Sequence, residues 1–82
     1  MKAYVLIRTR PGDAQDVVEQ LRKLNGITEA HMTFGPYDIV AEANTPDVAA
    51  LGALNATGIQ PIRGIVQTLT CLTVDLGGPF DR

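Results

Sequence analysis

Turns that contain Gly, Pro or Asn divide the 82-residue chain into six short segments, and the order of these segments constrains the fold most. The turns are Pro11-Gly12, Asn25-Gly26, Gly35-Pro36-Tyr37, Thr45-Pro46-Asp47 and Asn55-Ala56-Thr57-Gly58. Such residues end helices and strands because Gly accepts a positive φ, whereas Pro fixes φ and has no N–H donor. A chain of this length is expected to form one domain.

Four of the segments are short and rich in β-branched residues, which predicts β-strands. These strands are expected over Ala3–Thr9, Ile27–Phe34, Asp38–Asn44 and Ile65–Val74. The second and third strands are separated only by the turn at residues 35–37, so they are expected to form a hairpin.

The two remaining segments have helical periodicity. In the first, Asp13 is expected to act as the N-cap by accepting a backbone N–H, and Asn25-Gly26 is expected to end the helix. In the second, Thr45 is the expected N-cap, with Pro46 in the first turn. This helix is expected to be short, because Gly52 and the run from Asn55 to Gly58 weaken it. The expected inward side chains are Val17, Val18, Leu21 and Leu24 in the first helix and Val48, Leu51 and Leu54 in the second.

The order βαββαβ with right-handed crossovers predicts an α+β, ferredoxin-like fold, in which a four-stranded antiparallel sheet carries two helices on one face. The other face of the sheet is left bare. Tyr4, Val5, Leu6 and Ile7 are apolar in succession, and the last strand also has apolar residues on both faces, so both faces are expected to be buried. The bare face is expected to pack on the same face of a second copy, in an assembly resembling a dimeric α+β barrel.

Composition narrows the classes of function. The net charge is −2 and the Lys and Arg residues are scattered, which argues against direct nucleic-acid binding. No apolar run approaches the roughly 20 residues that cross a bilayer, so no membrane partner is expected. The N-terminus lacks the features of a signal peptide, and a cytoplasmic location is predicted. One His and one Cys provide neither a disulfide nor a metal cluster, no cofactor is expected, and Cys71 is predicted to be a buried, inert thiol.

The hairpin residues Gly35-Pro36-Tyr37-Asp38 resemble the Gly-x-Tyr-Asp signature of the Lrp/AsnC effector-binding domain. The similarity extends over about residues 3–74 and includes Ala3–Ile7, the Pro11-Gly12 turn, the Leu-containing first helix and Gly64–Thr70. Full-length members of this family carry a helix-turn-helix before the domain, whereas strand one begins here at residue 3. The resemblance therefore implies a stand-alone effector-binding domain over residues 1–76, followed by a flexible tail at 77–82.

The resemblance also implies dimers that associate into higher oligomers, commonly octamers, with an amino acid or a related small effector bound between dimers. A full-length Lrp/AsnC regulator is a further possible partner. By this likeness Gly35, Tyr37, Asp38, Thr68 and Thr70 border the ligand pocket. Asp38 would accept from the ligand ammonium, whereas hairpin N–H groups and Thr hydroxyls would donate to its carboxylate.

Each of these residues also has an ordinary structural interpretation. Gly35 and Tyr37 suit a hairpin, Asp38 suits a turn cap, and Thr68 and Thr70 are common strand residues. His31, the only imidazole, is a further candidate for ligand contact, and it is equally typical of an exposed strand position.

No catalytic residues are predicted, because one His and one Cys far apart in the chain give no recognisable nucleophile, base and orienting group. Two other classes of protein share the fold and stay open. One is a small dimeric α+β barrel enzyme of the monooxygenase or isomerase type, and the other is an ACT-like regulatory domain that binds amino acids.

Overall fold

The computed structural model describes residues 1–74 and confirms the βαββαβ order. The elements are β1 (Lys2–Thr9), α1 (Ala14–Arg22), β2 (Ile27–Met32), β3 (Ile39–Asn44), α2 (Val48–Ala53), a π-helix (Leu54–Ile59) and β4 (Ile65–Leu72). The tail predicted at 77–82 lies outside the described residues.

The four strands form one antiparallel sheet in the order β2-β3-β1-β4, so β2 and β4 are its edges. Inward side chains of the central strands are fully buried under the helices, as shown by Val5, Ile7 and Ile39, each with no exposed surface. Helix α1 packs on β2 and β3 and contributes Val17 and Leu21 to the same core. The predicted ferredoxin-like fold is therefore confirmed.

The two helices are not capped as the sequence suggests. Asp13 occupies the N-cap position of α1, but its side chain accepts no capping hydrogen bond. At α2 the N-cap is Asp47 rather than Thr45, since the Asp47 carboxylate accepts from the N–H of Ala50 at 2.8 Å. The Thr45 hydroxyl instead donates to the Asp47 carbonyl at 3.0 Å, and the Thr45 N–H donates to the Met1 carbonyl at 2.9 Å, which extends the pairing of β3 with β1.

Two predicted burials are wrong, and the short helix α2 has a continuation that was not predicted. Val48 is 56% exposed because it lies in the first turn of α2, where only Leu51 is buried. The helix does not stop at the weak run after Gly52, but continues as the π-helix to Ile59. Cys71 is exposed rather than buried, because it lies on the bare face of the edge strand β4.

The two sheet edges differ in how they are protected. Arg22 at the end of α1 donates from Nε (3.1 Å) and Nη2 (2.7 Å) to the carbonyl of Ala30, which closes one acceptor on the outer edge of β2. Among residues 1–74, no charged side chain donates to the outer edge of β4 in this way, and no charged residue occurs from Ile65 to Val74. An uncharged, open edge of this length is typical of a strand that pairs or is covered.

Candidate functional site

The loop between β2 and β3, residues 33–38, carries the signature residues. Thr33 closes it twice, since its N–H donates to the Asp38 carbonyl at 2.9 Å and its hydroxyl donates to the Tyr37 carbonyl at 2.9 Å. Gly35 has φ +147°, and open space surrounds the position of a Cβ there. The conformation of this loop therefore favours glycine through its backbone angle and not through crowding.

Asp38 anchors the loop to the end of β1. Its N–H donates to the Ile7 carbonyl at 2.9 Å, and its Oδ2 accepts from the N–H of Thr9 at 2.8 Å. One carboxylate oxygen of Asp38 is therefore already committed to the backbone. Within residues 1–74 only the other oxygen is available for the ammonium contact that the sequence suggested.

Tyr37 is in contact with Arg8, which is not among the site residues predicted from the sequence. The guanidinium of Arg8 lies over the Tyr37 ring, 5.4 Å from its centroid. Such stacking holds a guanidinium in place and leaves its N–H donors free to bind a carboxylate. Arg8 is exposed, and it forms no ion pair with any residue of the described segment 1–74. In the sequence, the signal that could have indicated a role for Arg8 in the site is its position at the end of β1, opposite the hairpin.

Thr68 and Thr70 lie on the helix-covered side of the sheet. They are the β4 partners of Ile7 and Val5, whose side chains are buried in the core, and directly opposed residues share a face. The Thr68 hydroxyl accepts a hydrogen bond from Nε2 of Gln60 at 2.8 Å, which confirms that it faces the helical layer.

His31 lies on the other side of the sheet and at the other edge. It is paired with Val40, which alternates with the buried residues of β3, and its Nε2 is 3.1 Å from Oε1 of Glu29. Three strand spacings separate β2 from β4, roughly 14 Å. His31 and Thr68 therefore do not meet within one subunit, whereas Tyr37 and Asp38 lie together in the loop.

The bare face of the sheet carries a continuous apolar row. Leu6 is opposite Val40 on β3 and opposite Leu69 on β4, so the three side chains follow one another across three strands. Leu6 and Val40 are half-buried and Leu69 is 45% exposed. Tyr4 and Cys71 form a second pair beside this row.

Charged side chains flank the apolar row. Nζ of Lys2 is 3.9 Å from Oε2 of Glu42 and 5.3 Å from the centroid of the Tyr4 ring. The Tyr4 side chain, followed by the Glu42 carboxylate, raises the pKa of Lys2 above 10.5. An apolar centre with a polar rim is the usual composition of a protein interface.

No helix within residues 1–74 has the length and apolar character required to span a bilayer. Within the same residues, no group of three or more His, Cys, Asp and Glu side chains is arranged to hold a metal ion.

The family model for the Lrp/AsnC ligand binding domain matches residues 2–75. An uncharacterized HTH-type transcriptional regulator of Pyrococcus abyssi is 29% identical over 76 residues, which are 89% of this chain and 51% of that protein. The chain thus spans about half the length of the curated relatives it matches.

Solved structures agree with the family model. TTHA0845 from Thermus thermophilus is 32% identical, with a TM-score of 0.88 and coverage of 95% of this chain and 98% of that chain. AsnC of E. coli is 27% identical, with a TM-score of 0.82 and coverage of 99% of this chain and 54% of that chain. The resemblance to the Lrp/AsnC family is confirmed, and the chain belongs to the family of Lrp/AsnC ligand binding domains.

Proposed function

We propose that this chain is a non-catalytic sensor domain that assembles with copies of itself and binds an amino acid next to the 33–38 loop. The observation that carries this proposal is the apolar row of Leu6, Val40 and Leu69 on the sheet face that has no helical cover. A second copy related by a two-fold axis would bury the same row on both subunits.

The distribution of the candidate residues supports a ligand site shared between subunits. Tyr37 and Asp38 lie in the loop, whereas Thr68 and Thr70 lie on β4, on the helix-covered side. A pocket that uses both groups together with His31 has to take them from more than one copy. The ligand would then bind where copies meet, and ligand binding would change assembly.

Arg8 would supply the positive charge at this ligand site. A zwitterionic ligand needs cationic or N–H donors for its carboxylate, and the Arg8 guanidinium is held by the Tyr37 ring beside the loop. The Asp38 oxygen that does not bind Thr9 remains available for the ammonium group. Thr68, Thr70 and His31 of a neighbouring copy would supply further polar contacts.

The arrangement of Cys71 and His31 supports a role without catalysis. These residues lie on the opposite edge strands β4 and β2, roughly 14 Å apart across the sheet, so they do not form a nucleophile and base within a subunit. In this proposal the effect on transcription arises through a partner, either a full-length regulator of the same family or another protein that reads the assembly state.

The assembly claim is tested with two Leu→Glu variants on β4. Leu69 and Leu72 are exposed to similar extents, 45% and 47%, but Leu72 is opposite Ala3 and lies on the helix side. In sedimentation velocity, Leu69→Glu is expected to yield monomers because it places a charge in the buried row, whereas Leu72→Glu is expected to retain the dimer. A wild-type chain that stays monomeric at micromolar concentration, or dimers that survive Leu69→Glu, would overturn the claim.

The ligand claim is tested by thermal shift against the twenty amino acids. A ligand at 100 times its dissociation constant is expected to stabilise the fold by about 2.7 kcal/mol. Arg8→Gln is expected to weaken the binding of the active amino acid about tenfold, because it removes one charged contact to the carboxylate. Arg82→Gln, which removes a positive charge at the C-terminal residue, is the control. The claim is wrong if no amino acid shifts the melting temperature, or if Arg8→Gln and Arg82→Gln behave alike.

A further inference from the structure

A groove separate from the 33–38 loop lies between α1 and the segment that joins the π-helix to β4. Its volume is about 630 Å³, within the range of about 300–1,000 Å³ typical of small-molecule sites. One wall consists of Asp16 and Gln20 of α1 and the C-cap residue Lys23, and the opposite wall includes Pro61 and Ile62.

Five charged side chains line this groove. Three are cations, Arg10, Lys23 and Arg63, and two are carboxylates, Asp13 and Asp16. Within residues 1–74 none of the five forms an ion pair within 4.0 Å. Charges of both signs that face one groove without pairing leave their hydrogen-bonding capacity for a third partner.

Asp13 gives independent support, because its side chain is held at the groove without serving its helix. The residue occupies the N-cap position of α1, yet its carboxylate makes no capping hydrogen bond. The backbone of Gly64 packs so closely that a Cβ there would lie 2.9 Å from Asp13 Cβ and 3.0 Å from its Oδ2. The half-buried Asp13 carboxylate thus lies against the Gly64 backbone, and its oxygens have no hydrogen-bond partner within the described residues.

We propose that this groove binds an acidic amino acid, at a site distinct from the loop site. Three cations and two carboxylates complement a ligand that carries two carboxylates and one ammonium group. The long side chains of Arg10, Arg63 and Lys23 all line the groove, so each ligand carboxylate would meet a cation, and Asp13 or Asp16 would meet the ammonium group. The methylene groups of the ligand would pack on Pro61 and Ile62.

The test uses three related probes in isothermal titration calorimetry of the full chain. These are L-glutamate, L-glutamine, which lacks the second carboxylate, and glutarate, which lacks the ammonium group. Glutamate is expected to bind at least about tenfold more tightly than either of the others, since each of them lacks one charged contact. Equal dissociation constants for glutamate and glutamine would overturn the proposal.

Variants then assign the binding to the groove. Arg63→Ala is expected to weaken glutamate binding about tenfold, whereas Arg82→Gln, an equal change of charge at the C-terminal residue, leaves it unchanged. Asp16→Asn is expected to weaken glutamate and to narrow its advantage over glutarate, because the ammonium contact is lost.

Amide shifts in two-dimensional NMR separate this site from the loop site. Glutamate is expected to move signals of residues 10–16 and 58–64. Glutamate binding that moves only residues 33–38, or that is weakened by Arg8→Gln and not by Arg63→Ala, would overturn the groove proposal and assign the ligand to the loop.

Discussion

The close approach of Gly64 to α1 allows a quantitative test of the packing. Gly64 is buried with φ +101°, and its carbonyl accepts from the N–H of Arg10 at 2.8 Å. In Gly64→Ala the new methyl would lie 2.9 Å from Asp13 Cβ and 3.2 Å from Val17 Cγ2. Asp13 Cβ is attached directly to the backbone and cannot rotate away, so α1 itself would have to shift.

The expected loss of stability in Gly64→Ala has two parts. A non-glycine residue at a positive φ of this kind costs roughly 1–2 kcal/mol. Forcing an extra methyl into a closely packed site costs about 1–3 kcal/mol more. Gly64→Ala is therefore expected to lower the free energy of unfolding by about 2–5 kcal/mol. That is a large part of the roughly 4–12 kcal/mol expected for a chain of this length.

Gly12→Ala is the matched control. Gly12 has φ +86°, and nothing lies within 4 Å of a Cβ there, so this variant carries the backbone strain without the contact. The difference between the two variants isolates the steric part, about 1–3 kcal/mol. Both variants also lose similar entropy in the unfolded chain, so that effect cancels in the difference.

Urea denaturation monitored by circular dichroism measures both variants. Protein concentrations must match, because self-association shifts apparent stability. Gly64→Ala is expected to unfold at a urea concentration about 1 M or more below that of Gly12→Ala with a similar m-value. Midpoints within error of each other would refute the account of close packing between Gly64 and α1.

Three further perturbations have expected outcomes. Asp47→Ala is expected to destabilise the fold by about 1 kcal/mol in urea denaturation because it removes the cap of α2, whereas Asp13→Ala, which removes no cap, is expected to cost less than half as much. Arg22→Leu is expected to cost about 1–3 kcal/mol because it leaves an edge carbonyl of β2 without its donor, and hydrogen exchange should rise at that edge first. Tyr4→Phe is expected to lower the pKa of Lys2 toward 10.5 in an NMR titration. Because the pKa of Lys2 is raised in the folded state, the stabilisation by charged Lys2 is fully present below pH 10.5 and is lost only as the pH rises through the raised pKa. The titration of Lys2 is therefore expected to leave the free energy of unfolding unchanged between pH 7 and 9.

Much of the fold was predictable because its signals are local. The turn at Asn25-Gly26 is an example, since Gly26 has φ +106° just before β2, although α1 itself ends earlier, at Arg22, with Lys23 as its C-cap. The caps were less predictable, because they depend on distant contacts. Asp13 packs against Gly64 and does not cap. The Thr45 hydroxyl donates to the Asp47 carbonyl, and the Asp47 carboxylate caps α2.

The candidate site was predictable only in part. The loop residues Tyr37 and Asp38 were selected through the family signature, and the structure places them together. Arg8 was not selected, because strand alternation indicates which face a residue occupies and not which loop it reaches. The separation of His31 from Thr68 follows from the strand order β2-β3-β1-β4, which a hydrophobic pattern does not reveal.

The unequal protection of the two sheet edges sets a limit on fibre growth. A strand added at β4 meets unpaired backbone groups, whereas one added at β2 meets the Arg22 guanidinium already bound to the Ala30 carbonyl. Two copies joined edge to edge through β4 would leave β2 as the outer strand at both ends, where Arg22 covers the Ala30 carbonyl. A further strand added at β2 would have to displace that guanidinium, which disfavours continued growth of the sheet.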